Sequence, residues 1–461
     1  MKNILKNIFK DKLFLKTILV LALPIVIQNL ITSSLNLTDN LMIGSLGEKE
    51  IAAVGLANQY FFFFMLTMIG INGGASIFMS QCFGKKDLKS IKRFLGIDLT
   101  IGFITSFIFS ILAFFFPEFI MKIFTEDIDV INLGVGYLKF VSLSYILTNV
   151  TLAYSSALRS TGQTKIPMYG SLIGLLANFV LNWTFIFGKF GLPQMGVNGA
   201  ALGTTIARTL EMSFILIAVY SNKNIVSAKL QELKFDFSLL KTYFITSTPV
   251  ILNDVMWSLG TSLYLIAYGK IGISAVATIQ IANTVNNMFN IFGIGLAVAT
   301  SIMIGNKIGA NKNEVAIDYS HKLSVVTTLL GVVMGVVVLL VAPLILSFFK
   351  VTQDTYISTT NILRIMALLT PLRFFNIAMI IGVFRGGGDV NYAIFTELMG
   401  VWAYAIPIAF LSSMYFNLSV VWVYTLISGE EIIKCLISLP RFKSNKWIKN
   451  VTENLKTSNS V

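Results

Sequence analysis

Long, mostly apolar stretches recur along the whole chain and leave few folds open to it. Phe94 to Phe116 is one of them. About 20 such residues cross the hydrocarbon core of a bilayer as a helix. In lipid only helices and closed barrels satisfy their own backbone polar groups, and these stretches lack the alternating pattern of barrel strands. With 55% hydrophobic and 12% charged residues, the chain has more apolar surface than a soluble fold of this size can bury. We therefore predict an all-α fold, that of a polytopic membrane protein.

The apolar stretches predict twelve transmembrane helices. Because this number is even, both ends of the chain are expected on the same side of the membrane. The predicted spans lie near 17–43, 51–83, 94–116, 131–157, 167–188, 200–221, 242–268, 276–305, 323–349, 358–384, 391–412 and 420–439.

The basic residues follow these spans, although a formal net charge of +13 is also compatible with a nucleic-acid partner. The predicted inner segments carry most of the Lys and Arg, and the positive-inside rule then puts both termini in the cytoplasm. We expect a multi-pass protein of the plasma (inner) membrane, with the lipid bilayer and no nucleic acid as partner. The predicted outer loops carry only Lys49, Lys122, Lys189, Lys270 and Lys350.

The second half of the chain repeats the first. Pro24 matches Pro249, and Asn58 matches Asn283 at the same spacing, in a block without gaps. A run of this length in one register is hard to obtain from composition alone, so we interpret it as an internal duplication. Each half has six predicted spans, and because six is even the two copies have the same orientation, related by an axis along the membrane normal.

Five segments follow from the spans and the duplication. The first is expected to lie on the anionic inner leaflet, since it combines lysines with apolar residues. The segments are a basic amphipathic lead-in (1–16), an amino-terminal six-helix lobe (17–221), a cytoplasmic linker (222–241), a carboxyl-terminal six-helix lobe (242–439) and a basic cytoplasmic tail (440–461).

Asp39 is a carboxylate inside the first predicted span. A charged residue within a span normally faces a bundle interior or a wet cavity and is a functional candidate; the alternative is that Asp39 only caps the outer end of its helix. At 1.5 Å per residue, Asn178, Asn182 and Thr204 fall in the same depth band. A carboxylate with amide and hydroxyl oxygens suits a small cation, and the carboxylate alone can take a proton.

Two further polar positions lie near the membrane midplane. Asp254 aligns with Asn29 of the first half, and both are candidate substrate contacts. Asp254 either faces the central cavity or is paired locally. Whether Glu397, about two turns beyond an inner loop, contacts substrate stays open.

Two prolines and two arginines are expected to have structural roles. Pro24 and Pro249 lie at matching points of the first span of each half. Arg159 matches Arg385, and each belongs to a glycine-containing inner turn where the arginine is expected at the level of the lipid headgroups.

These residues and several motifs resemble the multidrug and toxic compound extrusion (MATE) family. The resemblance covers about residues 15–440. The matching motifs are the LP…D pattern of Pro24 and Asp39, AAVGLAN from Ala52 to Asn58, FGKKD at Phe83, FRGGGDV at Phe384, and NWTFIFGKFGLPQMGVNGAALGTT from Asn182 to Thr205.

The resemblance implies two six-helix lobes around a V-shaped cavity and export driven by inward Na+ or H+. It also implies a cation site in the amino-terminal lobe at Asp39, Asn178, Asn182 and Thr204. The chain departs from some relatives in having Asn rather than Asp at residue 182. The carboxyl-lobe Glu of other members is absent here, where the corresponding position is near Trp257. This difference favours the amino-terminal site.

The main hypothesis is a monomeric antiporter that exports amphiphilic, often cationic, organic compounds in exchange for Na+ or H+, with no other cofactor. The alternative is a lipid-linked oligosaccharide flippase of similar fold. A flippase for pyrophosphate-linked lipids should have a strongly cationic cavity, and the predicted spans contain few basic residues. An enzyme is the third class, but the chain has neither HExxH nor GxxxxGK[ST].

Overall fold

The computed structural model describes residues 8, 10–221, 224–347, 349, 351–453 and 455. Over these residues the structure is helical and contains no β-strand. Eleven helical stretches of the described chain are long and apolar enough to cross a membrane, and two of them, Gln353–Arg385 and Val390–Tyr415, include π-helical turns. The helices are α1 (Lys12–Gly44), α2 (Glu48–Lys85), α3 (Leu88–Phe115), α4 (Pro117–Lys122), α5 (Ile128–Ser160), α6 (Lys165–Phe187), α7 (Gly196–Ser221), α8 (Phe237–Ile271), α9 (Ile273–Gly309), α10 (Asn313–Leu346), α11 (Gln353–Ile377), α12 (Val390–Leu398), α13 (Ile406–Phe410), α14 (Val420–Ile427) and α15 (Glu430–Lys443).

The last predicted span, 420–439, is interrupted. It consists of α14 and α15, which are separated by Ser428 and Gly429. A Cβ at Gly429 would overlap the Tyr404 hydroxyl. The spans near 358–384 and 391–412 are also irregular, because wider π-helical turns continue α11, α12 and α13. These π-helical segments are Ala378–Arg385, Met399–Ala405 and Leu411–Tyr415.

The turns between helices confirm the internal duplication. Gly47 and Gly272 precede α2 and α9 with φ of 156° and 146°. Lys86 and Asn311, at the same spacing, follow the same helices with φ of 63° and 56°. Residues other than glycine rarely adopt positive φ. Matching left-handed turns at matching positions are therefore a structural copy of the sequence repeat.

The described chain divides into two compact units whose limits differ from the predicted lobes. The amino-terminal unit is Ile27–Ser247, and the carboxyl-terminal unit is Met1–Val26 with Thr248–Val461. The limits fall within two residues of Pro24 and Pro249, inside α1 and α8. The sequence repeat identifies equivalent helices, but it does not tell with which neighbours each half of a helix packs.

Both prolines lie inside their helices. A proline in a helix interior removes one backbone hydrogen bond. From Ile27 onwards, α1 belongs to the amino-terminal unit. Up to Val26, α1 belongs to the carboxyl-terminal unit, where Ile25 packs beside Leu296.

The described part of the predicted lead-in, residues 8 and 10–16, packs on the carboxyl-terminal unit. Residues 1–7 and 9 lie outside the described part of the chain. Ile8 and Phe14 are buried against α10, in a cluster that includes Tyr319. Lys322 of α10 also pairs with Asp11 at 2.8 Å. The helix begins at Lys12, within the predicted lead-in.

The predicted tail 440–461 also packs on the protein as far as it is described. Helix α15 continues to Lys443, and the following Trp447 is fully buried. The backbone N–H of Lys449 donates to the Gly387 carbonyl at 2.7 Å. A Cβ at Gly387 would lie 2.6 Å from the Trp447 ring, so the glycine-rich inner turn provides the space for this side chain. Residues 454 and 456–461 of the predicted tail lie outside the described residues.

The described part of the predicted linker also packs on the protein. Its residues 222 and 223 are outside the described part, and α8 already begins at Phe237. The Tyr220 hydroxyl donates to the Ala228 carbonyl at 3.0 Å, and Lys92 pairs with Glu232 at 2.8 Å.

Large apolar side chains cover much of the outside of the long helices. Leu41, Phe115 and Leu340 are each exposed by more than two thirds. Contiguous exposure of this kind is unfavourable in water. It is the surface that a membrane protein presents to lipid tails.

Candidate functional site

Four polar residues of the amino-terminal unit form one hydrogen-bonded chain. The Asn182 amide nitrogen donates to Asp39 Oδ1 at 2.6 Å and to Asn178 Oδ1 at 3.1 Å. The Asn178 amide nitrogen donates to Thr204 Oγ1 at 3.2 Å. Both asparagines are fully buried, while Asp39 and Thr204 are half-buried. The structure thus brings together the four residues that the sequence assigned to one depth. We call them the Asp39 site.

Close packing of α6 and α7 positions this site. Asn178 and Asn182 are four residues apart and lie on one face of α6. Gly203 of α7 lies against the Asn182 amide, and a Cβ at this glycine would overlap Asn182 Oδ1. The two helices approach closely here because residue 203 has no side chain.

The Asn182 carbonyl oxygen is an unused acceptor. It is buried and accepts no hydrogen bond from any described residue. An unsatisfied buried polar group costs about 1–3 kcal/mol. A small cation or a proton donor beside Asp39 would satisfy this oxygen, since carboxylate, amide and hydroxyl oxygens are the ligands that hard cations accept.

A second polar chain in the same unit runs from α7 to the end of α5. Arg208 pairs with Glu211 at 2.8 Å, and Ser171 Oγ donates to Glu211 Oε1 at 2.9 Å. The Gln28 amide donates to Ser171 Oγ at 3.1 Å. The Arg159 guanidinium then donates to Gln28 Oε1 at 3.2 Å. Arg159 therefore bonds to α1 instead of only anchoring a turn.

Arg208 acts on both polar chains. Besides its bond to Glu211, its guanidinium attracts the carboxylate of Asp39. The sequence places Arg208 three residues from Glu211 on one helix, but it does not show that Asp39 of α1 is also a neighbour. Glu211 largely balances the charge of this guanidinium.

The carboxyl-terminal unit contains the matching contact. Arg385 Nη2 donates to Asp254 Oδ1 at 2.6 Å. The two residues are 131 apart in sequence, the same separation as Arg159 and Gln28. The duplication therefore repeats this bond between an inner-turn arginine and the first helix of the half. Of the two alternatives for Asp254, the structure has local pairing; Asn29 is half-buried in α1.

A larger group of buried charges, largely missed from the sequence, lies in the same unit. Arg373 Nε pairs with Glu431 at 3.0 Å. Lys434 lies 2.7 Å from Glu397 and 3.7 Å from Glu430. We call these five residues the buried charge cluster. The spacing of Glu430 and Lys434 predicted an ion pair within the helix, but the shorter contact of Lys434 is with another helix.

Two neutral side chains complete the cluster. The Tyr264 hydroxyl donates to Glu430 Oε2 at 2.8 Å, and the Asn376 amide nitrogen donates to Glu431 Oε2 at 2.8 Å. The sequence indicated the buried charge cluster only through the number of charged residues in the predicted spans. It does not show that α8, α11, α12 and α15 converge on them.

Duplicated bundles of membrane-spanning helices with polar residues buried between them define the class of membrane transporters. The profile of one such family, MatE, matches residues 24–184 and 249–411, one match in each half. The chain belongs to this family of multidrug efflux transporters.

Curated relatives and solved structures agree with this assignment. The chain is 26% identical over 408 residues to the probable multidrug resistance protein YoeA of Bacillus subtilis, covering 87% of this chain and 88% of that protein. It is 24% identical over 442 residues to the probable multidrug resistance protein NorM of Thermotoga maritima, covering 94% and 93%.

Among solved structures, the chain is similar to an outward-facing multidrug resistance MATE family transporter of the MOP superfamily. The TM-score is 0.83 at 20% identity, and the match covers 94% of this chain and 96% of the other. A MOP superfamily transporter from Pyrococcus furiosus gives a TM-score of 0.84 at 19% identity, with the same coverage. The flippase alternative receives no support from these comparisons.

Proposed function

We propose that the protein exports amphiphilic organic compounds, often cationic, in exchange for Na+ or H+ moving inward. It acts as a monomer in the plasma membrane with both termini in the cytoplasm. The observation that carries the proposal is the Asp39 site, where a half-buried carboxylate accepts a hydrogen bond from the buried Asn182 amide, whose oxygen has no partner among the described residues.

Coupling needs one group that distinguishes two states of the protein. A ligand shifts a conformational equilibrium only by its difference in affinity for the two states. At the Asp39 site a bound cation or proton neutralises the carboxylate, which weakens its hydrogen bond with Asn182 and its electrostatic attraction to Arg208. The ion and the substrate then affect each other's binding through the same equilibrium.

The proposed substrate contacts are Asn29 and Asp254. The ion pair with Arg385 neutralises Asp254, so it attracts a cationic substrate only in a state in which Arg385 has released it. Asn29 has no charge to neutralise and offers an amide in either state.

The test is transport by purified protein in vesicles loaded with a fluorescent organic cation. Efflux is measured under an imposed Na+ gradient and, separately, an imposed pH gradient, which identifies the coupling ion. Asp39→Asn should abolish efflux driven by the effective gradient while binding of the compound persists, because Asn keeps the size and one oxygen of Asp. Thr204→Ala should weaken the ion dependence less.

Glu118→Gln is the matched control. It removes the same amount of charge at an exposed outer position, where Glu118 pairs only with Lys122 of its own helix. It should transport at the wild-type rate. If Asp39→Asn also concentrated the compound against its gradient at that rate, the Asp39 site would not be the coupling site.

A further inference from the structure

The buried charge cluster contains more acid than base. Glu397, Glu430 and Glu431 face two basic residues, Arg373 and Lys434. All three glutamates are buried to at least nine tenths. Arg364, the other basic residue of α11, is exposed. With all five groups ionised, the cluster would have a net charge of −1.

The remaining titratable groups near the cluster do not balance this excess negative charge. They are Cys435 of α15 and four tyrosines, which are neutral at physiological pH. The tyrosines are Tyr264 and Tyr268 of α8, Tyr404 beside Gly429 at the break before α15, and Tyr424 of α14.

The three glutamates differ in how well they are paired. Glu431 accepts from Arg373 and from Asn376, and Glu397 has the closer contact with Lys434. Glu430 lies 3.7 Å from Lys434, beyond hydrogen-bonding distance, and its hydrogen bond comes from the neutral Tyr264 hydroxyl. The amino-terminal end of α15 favours an anion, but Glu431 shares this position. Glu430 is therefore the carboxylate with the least compensation.

A second observation shows that the cluster lacks a positive group or a donor. The Asn376 side chain is buried, and its amide nitrogen is used by Glu431. Its carbonyl oxygen has no hydrogen-bond partner among the described residues. No set of three acidic, His or Cys side chains in the described chain is arranged to hold a metal ion. A proton is a small positive species that this site can bind without a set of metal ligands.

We propose that Glu430 is a proton-binding residue of the carboxyl-terminal unit, which takes up and releases one proton while Glu397 and Glu431 stay ionised. A buried charge without a partner is strongly unfavourable, and a carboxylate in that position is neutralised instead. With Glu430 protonated, the cluster contains two carboxylates and two cations. Release of the proton leaves one negative charge next to the break between α14 and α15.

This proposal is separate from the Asp39 site and is tested on the protein itself, without transport. Infrared spectra of purified protein are recorded in an Asp39→Asn background, so that a proton on Asp39 does not contribute. The carbonyl band of a protonated carboxylic acid should be present at neutral pH and should disappear at high pH. Glu430→Gln should remove at least half of this band, whereas Glu118→Gln should leave it unchanged.

Thermal unfolding in detergent gives an independent comparison of two neighbouring residues. Glu430→Gln should unfold within a few degrees of the parent, because Gln replaces a carboxyl group that is already neutral. Glu431→Gln should unfold at a clearly lower temperature, because it leaves the Arg373 guanidinium buried without a carboxylate. Tyr264→Phe should leave the band in place but shift its frequency, because it removes the hydroxyl that contacts Glu430.

Two results would overturn the proposal. One is a band that Glu430→Gln does not change, which would place the proton elsewhere. The other is no band in the parent at neutral pH together with a Na+-dependent rise in unfolding temperature that Glu430→Gln abolishes. In that case the cluster holds a metal cation instead of a proton.

Discussion

Gly203→Ala tests the geometry of the Asp39 site without altering any of its polar groups. A Cβ at residue 203 would overlap Asn182 Oδ1 and lie 3.3 Å from the Asn182 backbone nitrogen. The amide oxygen must move by on the order of 1 Å to reach an ordinary contact distance. Because the amide is planar, the same movement displaces the nitrogen that donates to Asp39 at 2.6 Å.

The free energy of the lost hydrogen bond between Asn182 and Asp39 sets the size of the expected effect. A hydrogen bond to a charged group contributes about 1.5–3 kcal/mol, and about 1.4 kcal/mol is a factor of ten in affinity. Because this N–H stabilises the ion-free carboxylate of Asp39, we expect Gly203→Ala to change binding of the coupling ion by about ten- to a hundredfold, towards tighter binding where that ion is a proton. The assay is the ion concentration that gives half-maximal efflux from vesicles, supported by calorimetric titration of purified protein.

Gly55→Ala is the matched control. Gly55 is an exposed residue of α2, and a Cβ there meets nothing within 4 Å. Both substitutions raise helix propensity by about 1 kcal/mol, so a difference between them reports the contact with Asn182. Wild-type ion dependence in a folded Gly203→Ala protein would refute the assignment of Asn182 to the ion site.

Three other changes should affect stability, measured as thermal unfolding in detergent. Asp254→Asn should destabilise the protein by about 3–5 kcal/mol, because it leaves Arg385 buried without its partner, and adding Arg385→Gln should recover much of the loss; equal unfolding temperatures of the single and double variants would contradict the ion pair. Trp447→Ala should cost about 3–5 kcal/mol, and an unchanged unfolding temperature would mean that the tail does not pack as described. The hydrogen bond from Lys322 lowers the pKa of Asp11 below its ordinary value of 3.8, so the stability from this pair is present above that pH and is lost as the pH falls through the lower, folded-state pKa. Asp11→Asn should remove this acid-dependent part, and an unchanged acid limb would refute it.

The helical architecture and the duplication could be predicted because they depend on local patterns. Apolar stretches of sufficient length and repeated glycines are visible in one dimension, and Gly47 and Gly272 do adopt matching backbone conformations. The depth of a residue in a span follows from the constant rise of a helix. For this reason Asp39 and Asn182 could be assigned to one level before their contact was known.

Side-chain direction and packing between distant helices could not be predicted in this way. Arg385 was expected among lipid headgroups, but its side chain bonds to Asp254 in α8. Lys434 has the ion pair with Glu430 that the spacing within its helix indicates, at 3.7 Å, but its closest partner is Glu397 of α12. In each case a long basic side chain can reach several acidic residues. The sequence does not show which helix lies next to that side chain.

The repeated bond of the inner-turn arginines has a consequence for how the two copies have diverged. The acceptors differ by one residue in the alignment: Arg159 bonds to the neutral amide of Gln28, which matches Asn253, whereas Arg385 bonds to the carboxylate of Asp254. An ion pair resists separation more strongly than a bond to an amide. The two halves therefore differ in the strength of the contact between this arginine and the first helix of the half. The double substitution Gln28→Asp with Asp254→Gln would place the ion pair in the first half of the molecule and the weaker bond to an amide in the second half.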